Sequence, residues 1–259
     1  MIFPGLVSVT FRKLSPEEII RLASAAGLKG IEWGGDVHVP PGRSDIARQV
    51  RRLTQEAGLQ LPSYGSYYSV GVSSREEFAP VLDTAGELGV GTIRIWAGNQ
   101  GSSQASADYR QRLADLTRQL ADQAARRELD LAFEFHGGSL TDTVDSTLAL
   151  LAAINHSRVK TYWQVPAGMP IADCAEGLKR VLSALANIHV GSWSSDRKER
   201  RPLAEYEAAW QRFLSIAVTN PGDRFALLEF VCNDDPAMLA PDAAVLRRLL
   251  ALASDQKQQ

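Results

Sequence analysis

Eight strand-like segments, each followed by a helix-like one, occupy the 259 residues and predict an α/β fold, a single (β/α)8 TIM barrel. Two further observations point the same way. Strands alternating with helices need crossover connections and therefore a parallel sheet. Neither GxGxxG nor GxxxxGK followed by Ser or Thr comes after the first strand, which removes the usual nucleotide-binding reason for an open doubly wound sheet. No linker-like or low-complexity stretch interrupts the chain. One domain is expected over residues 1–259, with 254–259 as a frayed tail.

The elements follow in order. Residues 5–11 are β-branched and strand-like. Ser15-Pro16-Glu17-Glu18 then opens a helix with a capping side chain, a preset φ and two acids in the first turn. That helix ends at Gly27. The second strand, 29–33, leads through a glycine- and proline-rich loop to a helix from Ser44 to about Gly58. The third strand is read at 59–64, before the aromatic loop YGSYYSVG and a helix over 75–88. The fourth strand is 91–96 and its helix 107–127. The fifth, in LDLAFEFHGG, sends Leu131, Phe133 and Phe135 to one face and Ala132, Glu134 and His136 to the other. Its helix covers 143–154. The remaining pairs are 159–164 with 172–185, 187–193 with 205–218, and 224–231 with 242–253.

Bulk properties narrow the class. Hydrophobic residues make up 45% and charged residues 22%, ordinary for a globular chain. A net charge of −2 lacks the basic footprint of a nucleic-acid binder. Cys174 and Cys232 form no CxxC pair, which suits a reducing compartment. The N-terminus has no basic region before an apolar core, and no apolar run approaches the roughly 20 residues that span a bilayer. A cytoplasmic protein with neither a nucleic-acid nor a membrane partner is expected. Homo-oligomerisation is left open.

In such a barrel, chemistry gathers where strands end. Arg12 ends the first strand. Glu32, Asp36 and His38 follow the second, Tyr64 and Tyr67 the third, and Arg94 and Trp96 the fourth. Glu134 and His136 end the fifth, Gln164 the sixth, His189 and Trp193 the seventh, and Glu229 the eighth. Three of the four histidines fall in this set. Glu134 and Glu229 lie in apolar runs, where an unpartnered charge costs several kcal/mol. Oxygen and imidazole donors together suit one divalent metal ion: Mn, Mg, Co or Zn. Glu32 has two readings here, as a substrate contact or as an interior carboxylate paired with Arg94 or Arg12. The basic run 197–201 is either a phosphate catcher or a solvated loop.

The motifs AFEFHGGSLTDT, TYWQ, NIHVGSW and LLEFV resemble the sugar phosphate isomerase/epimerase group of xylose isomerase-like TIM barrels, over nearly the whole chain. The resemblance implies a metal held by Glu134, Gln164, His189 and Glu229. It implies catalysis by Glu134 and Glu229, and a small sugar, sugar phosphate or polyol as substrate. The reaction it implies is isomerisation or epimerisation through a metal-stabilised enediolate. Arg12, Glu32, His38, Tyr64, Arg94, Trp96, His136, Trp193 and Arg197 are the expected substrate contacts. Where relatives place an aspartate, this chain has Gln164, so weaker metal binding is expected. Ala167 and Ser195 stand where the epimerases commonly carry histidine and arginine. The alternatives are an inosose dehydratase-like lyase, a nuclease like endonuclease IV, and a non-catalytic sugar-binding barrel with a weakened metal site.

Overall fold

The computed structural model describes residues 1–166, 169–194 and 198–258, the last three by backbone alone. Eight parallel strands close into one barrel in sequence order: β1 (Ile2–Val7), β2 (Gly30–Gly34), β3 (Tyr64–Ser69), β4 (Thr92–Trp96), β5 (Asp130–Phe133), β6 (Val159–Trp163), β7 (Leu185–Val190) and β8 (Arg224–Leu228). β1 pairs with β2 on one side and β8 on the other, which completes the ring. Outside it lie α1 (Pro16–Ala25), α2 (Ser44–Glu56), α3 (Phe78–Leu88), α4 (Ala107–Ala125), α5 (Val144–Ile154), α6 (Ile171–Val181), α7 (Glu207–Ala217) and α8 (Leu239–Gln258).

Side-chain alternation divides the apolar residues into two layers. Leu6, Ile31, Trp33, Tyr64, Ile93, Leu131, Phe133 and Ile188 face the helices and join the large core between sheet and helices. Val7, Val9, Ala132, Tyr162, Phe225 and Leu227 fill the barrel interior. The expected alternation in the fifth strand therefore holds, with Leu131, Phe133 and Phe135 on the helix side and Ala132 inside.

Capping chemistry starts several helices. Ser15 and Glu18 form a reciprocal capping box at α1, and Ser106 and Thr143 cap α4 and α5. Gly89, with φ 72°, and Asn155, with φ 46°, end α3 and α5 in the left-handed conformation.

Several boundaries differ from the sequence reading, among them the ends of β7 and β8, which stop at Val190 and Leu228 where the reading ran to 193 and 231. β1 stops at Val7, and a short 3-10 turn, Ser8–Phe11, carries the chain on to Arg12. β3 begins at Tyr64, the residue at which the sequence reading ends the third strand. Its polar aromatic run pairs with β4 through a register shift between Gly65 and Ser69. The tail expected to fray from residue 254 continues α8 to Gln258. Ala253 is buried, and the Ser254 hydroxyl donates to the Leu250 carbonyl at 2.9 Å within the helix. No helix among the described residues is long and apolar enough to cross a membrane.

Candidate active site

Glu134 directly follows β5, and its backbone N–H donates to the Ile95 carbonyl of β4 at 3.0 Å. Glu229 directly follows β8, and its N–H donates to the Val190 carbonyl at the end of β7 at 2.8 Å. His189 is the penultimate residue of β7. The sheet thus delivers all three to one mouth of the barrel. Each offers a ligand atom, and these atoms lie within 4.8 Å of one another. Metal bonds to such donors measure about 2.0–2.6 Å, so one ion can bridge atoms at this spacing.

The surroundings fit a divalent cation. His189 is 1% exposed, and neither ring nitrogen makes a hydrogen bond. Carboxylate oxygens surround the ring at ion-pair distance: Glu229 at 3.3 Å, Glu32 at 3.5 Å and Glu134 at 3.8 Å. Burial alone would lower the imidazole pKa. Glu229 and Glu32 outweigh it and push the value up to about 10. Burial would likewise raise the Glu229 pKa, yet facing His189 holds it below the ordinary range. With the imidazole neutral, Glu32, Glu134 and Glu229 against Arg94 leave two uncompensated negative charges, which a 2+ ion would balance.

Below this mouth lies a polar chain. Arg94 Nε donates to Glu32 Oε1 at 2.7 Å, and Arg94 Nη1 donates to Glu134 Oε2. Trp96 Nε1 donates to the same Glu134 oxygen at 2.6 Å. Glu32 Oε2 accepts from Ser63 at 2.7 Å and from Tyr162 at 2.8 Å. Burial would raise the Glu32 pKa, but Arg94 and His189 hold it far below the usual carboxylate range.

Around the rim, Trp96 meets Tyr67 edge-on at 5.1 Å and His136 at a tilt of 35°, 5.0 Å between ring centres. Across the mouth, Trp193 meets Phe230 edge-on at 6.1 Å. The Arg200 guanidinium lies 3.9 Å from the Phe230 ring centre and that of Arg12 5.8 Å away. Arg12 is further held by Asp36 at 2.7 Å and donates to the Tyr67 hydroxyl at 3.0 Å. Tyr67, at φ 60°, and Phe230, at φ 63°, both adopt the left-handed backbone, which costs a non-glycine residue about 1–2 kcal/mol.

Several expected substrate contacts are placed elsewhere. Tyr64 is fully buried on the helix side of β3, and its hydroxyl donates to the Val39 carbonyl at 2.8 Å. Tyr67 takes the position at the rim. His38 packs edge-on against Trp33, with its ring nitrogens on Ser8 Oγ at 3.0 Å and the Leu14 carbonyl at 3.2 Å. Burial lowers its pKa, which favours the neutral imidazole. Glu32 and Arg94 are 0% and 2% exposed and face each other in the interior, which is the ion-pair reading of Glu32. Arg12, Trp96, His136 and Trp193 border the mouth as expected. Gln164 follows β6, and its amide nitrogen donates to the Phe135 carbonyl, which leaves Oε1 as its remaining donor atom. Arg197, with Ala167 and Ser195, lies outside the described residues.

Phe230, together with the buried Ser63, Tyr162 and Asn187, is absent from the sequence expectation, and Arg200 figures there only within the basic run 197–201. Period-2 counting could have found two of them. Tyr162 stands two residues before Gln164, and Asn187 two before His189, so both share the inward face.

Residues 20–248 match the family model described as xylose isomerase-like TIM barrel, and the chain belongs to that family. Among its relatives, a 3-dehydroshikimate dehydratase from Bacillus anthracis is 25% identical over 167 residues, 60% of this chain and 59% of that protein. The match thus spans less than two thirds of the relative's length. The crystal structure of a probable 3-DHS dehydratase involved in petrobactin synthesis, also from Bacillus anthracis, superposes with a TM-score of 0.81 at 21% identity. It covers 95% of this chain and 99% of that one. A D-allulose 3-epimerase from Methylomonas sp. superposes with a TM-score of 0.71 at 16% identity, over 96% of this chain and 99% of that one. The relatives named here are enzymes.

Proposed function

We propose that the protein is a metal-dependent lyase that removes water from a small cyclic β-hydroxy ketone carrying a carboxylate, a compound of the 3-dehydroshikimate kind. The observation that carries this reading is the convergence of Glu134, His189 and Glu229 at the barrel mouth, beside a third carboxylate, Glu32, and with Arg94 as the guanidinium that pairs Glu32 and Glu134. The choice of reaction leans on the dehydratase relative. The choice of an acid leans on Arg12 and Arg200, whose guanidinium groups both lie over Phe230 at the rim.

Glu134, His189 and Glu229 would hold one divalent ion, Mn, Mg, Co or Zn, with Gln164 Oε1 as a further oxygen donor. When bound, such an ion supplies Lewis acidity to a carbonyl oxygen that gains charge as the neighbouring C–H proton leaves. The chain's own residues do the rest. Glu134 has one oxygen tied by Arg94 and Trp96, so it serves as an anchor. Among the described residues Glu229 has His189 as its one ion-pair partner and remains 14% exposed, so its carboxylate is the proton acceptor. It takes the C–H proton and returns it to the β-hydroxyl, which departs as water while the C–O electron pair leaves with the oxygen. Trp96, His136 and Tyr67 form one wall for the ring and Trp193 with Phe230 the other.

Isomerisation or epimerisation of a neutral sugar is the second reading. It uses the same proton abstraction but returns the proton to carbon, and the D-allulose 3-epimerase superposition shows that this barrel also hosts it in a relative. The two part in one assay. Protein stripped of metal and reloaded with Mn²⁺ is given 3-dehydroshikimate or D-allulose. Metal-dependent formation of an aromatic product from the first supports the lyase. Interconversion of D-allulose and D-fructose without action on the acid overturns it.

A further inference from the structure

We propose that Arg94 is a positioning residue for Glu134: braced by Glu32, it ties off one carboxylate oxygen and leaves the other as the single donor atom turned toward His189. This rests on the reading of Glu134 as a metal ligand. Glu134 and Glu229 are not equivalent in the structure. Glu134 Oε2 accepts from both Arg94 Nη1 and Trp96 Nε1, while Oε1 stands 3.8 Å from His189 Nδ1. Among the described residues Glu229 has no such clamp, with the imidazole at 3.3 Å as its one ion-pair partner.

Arg94 is itself held from behind. Its Nε donates to Glu32, whose other oxygen is held by Ser63 and Tyr162. The Tyr162 hydroxyl accepts from Asn187 Nδ2 at 2.9 Å, and Asn187 Oδ1 accepts from the Phe225 backbone N–H at 2.8 Å. A continuous hydrogen-bonded chain therefore runs from the backbone of β8 through β7, β6, β2 and β4 to the carboxylate after β5. The fold makes room for it at Gly65, where a Cβ would stand 2.5 Å from Arg94 Nη2. Packed rigidly inside the barrel, the chain transmits strand register to the orientation of one carboxylate.

Charge and orientation make opposite predictions, which makes the idea testable. Removing the Arg94 charge leaves the site more negative, and on Coulomb grounds alone a cation would bind more tightly. If Arg94 acts by orienting Glu134, the cation binds more weakly. The full-length chain is stripped of metal and titrated with Mn²⁺, with free Mn²⁺ followed by electron paramagnetic resonance. Arg94→Lys keeps the charge but replaces the planar fork, which gives each carboxylate its own nitrogen, with a single ammonium nitrogen, and it is expected to weaken Mn²⁺ binding about tenfold or more, with an unchanged near-UV circular dichroism spectrum. Arg94→Met is expected to weaken it further. Tighter binding by Arg94→Met, or wild-type affinity in Arg94→Lys, overturns the proposal. Where Arg94→Met does not fold, Arg94→Lys decides alone. Failure of the wild-type chain to bind Mn²⁺ would remove the ligand reading and this inference with it. Normal wild-type binding with unaffected variants removes the inference alone.

Discussion

Glu134 and Glu229 face one imidazole with different freedom, and that difference sets the first expectation at the residue scale. Glu229→Gln keeps an oxygen donor and loses the proton acceptor, so turnover should fall about 10²–10⁴-fold while Mn²⁺ still binds. Solvent deuterium exchange at the substrate C–H should vanish with it. Glu134→Gln should lose metal first, because it removes one of the site's negative charges while Arg94 keeps its positive one. Calorimetric metal titration and single-turnover assays on both variants separate the two outcomes. If Glu229→Gln exchanges at the wild-type rate, the base is elsewhere. The two tyrosines of β3 give a second contrast. Tyr64→Phe strands the Val39 carbonyl in the core, so stability should drop by about 1 kcal/mol with KM unchanged. Tyr67→Phe loses the Arg12 contact at the rim, so KM should rise with the melting temperature nearly constant. Alternation places these tyrosines only once β3 is known to start at Tyr64, three residues before its irregular turn at Tyr67.

The elements that shape the mouth are loops stiffened by particular residues. After β4 the chain turns at Gly98, with φ 75°, and a Cβ there would overlap the Tyr109 hydroxyl. That hydroxyl accepts from the Asn99 backbone N–H at 3.0 Å, which fastens the loop to the first turn of α4. Gly98→Ala therefore meets both backbone strain and a clash. It should destabilise the protein by at least about 1 kcal/mol, read from urea unfolding. A melting curve identical to wild type would mean that the loop relaxes freely. The cap at Ser15 was legible in sequence, because capping is a local interaction between residues three apart, and the helix starts near 107 and 143 were read to within a residue. The end of β1 and the start of β3 were not. Both depend on hydrogen bonds to neighbouring strands, which a single strand's sequence does not encode.

For the whole molecule, the buried charges couple folding to pH and to metal. His189 moves from an ordinary 6.5 to about 10 in the metal-free fold, so its contribution is fully present below pH 6.5 and is lost as pH rises toward 10. Glu32 and Glu229 are held below their ordinary values, so their contribution is present above about pH 4.3 and lost on further acidification. Metal-free protein should therefore be most stable between about pH 5 and 6.5, in scanning calorimetry with a chelator present. Saturating Mn²⁺ should stabilise it by an amount that grows with pH over 6.5–10, since the ligand imidazole must be neutral. A metal effect that shrinks over that range would place His189 outside the binding site. The sequence by itself determined the barrel and the strand-end set that includes Glu134, His189 and Glu229. Alternating hydrophobicity is local, and a parallel barrel must bring its strand ends to one mouth. Only the tertiary structure decided which neighbours those residues meet. It turned Tyr64 and His38 into packing, and made Glu32 and Arg94 an interior ion pair. It also joined Phe225, Asn187 and Tyr162 to them in one chain, because contacts across a closed barrel link residues 130 positions apart, as between Glu32 and Tyr162, a separation at which sequence pattern carries no signal.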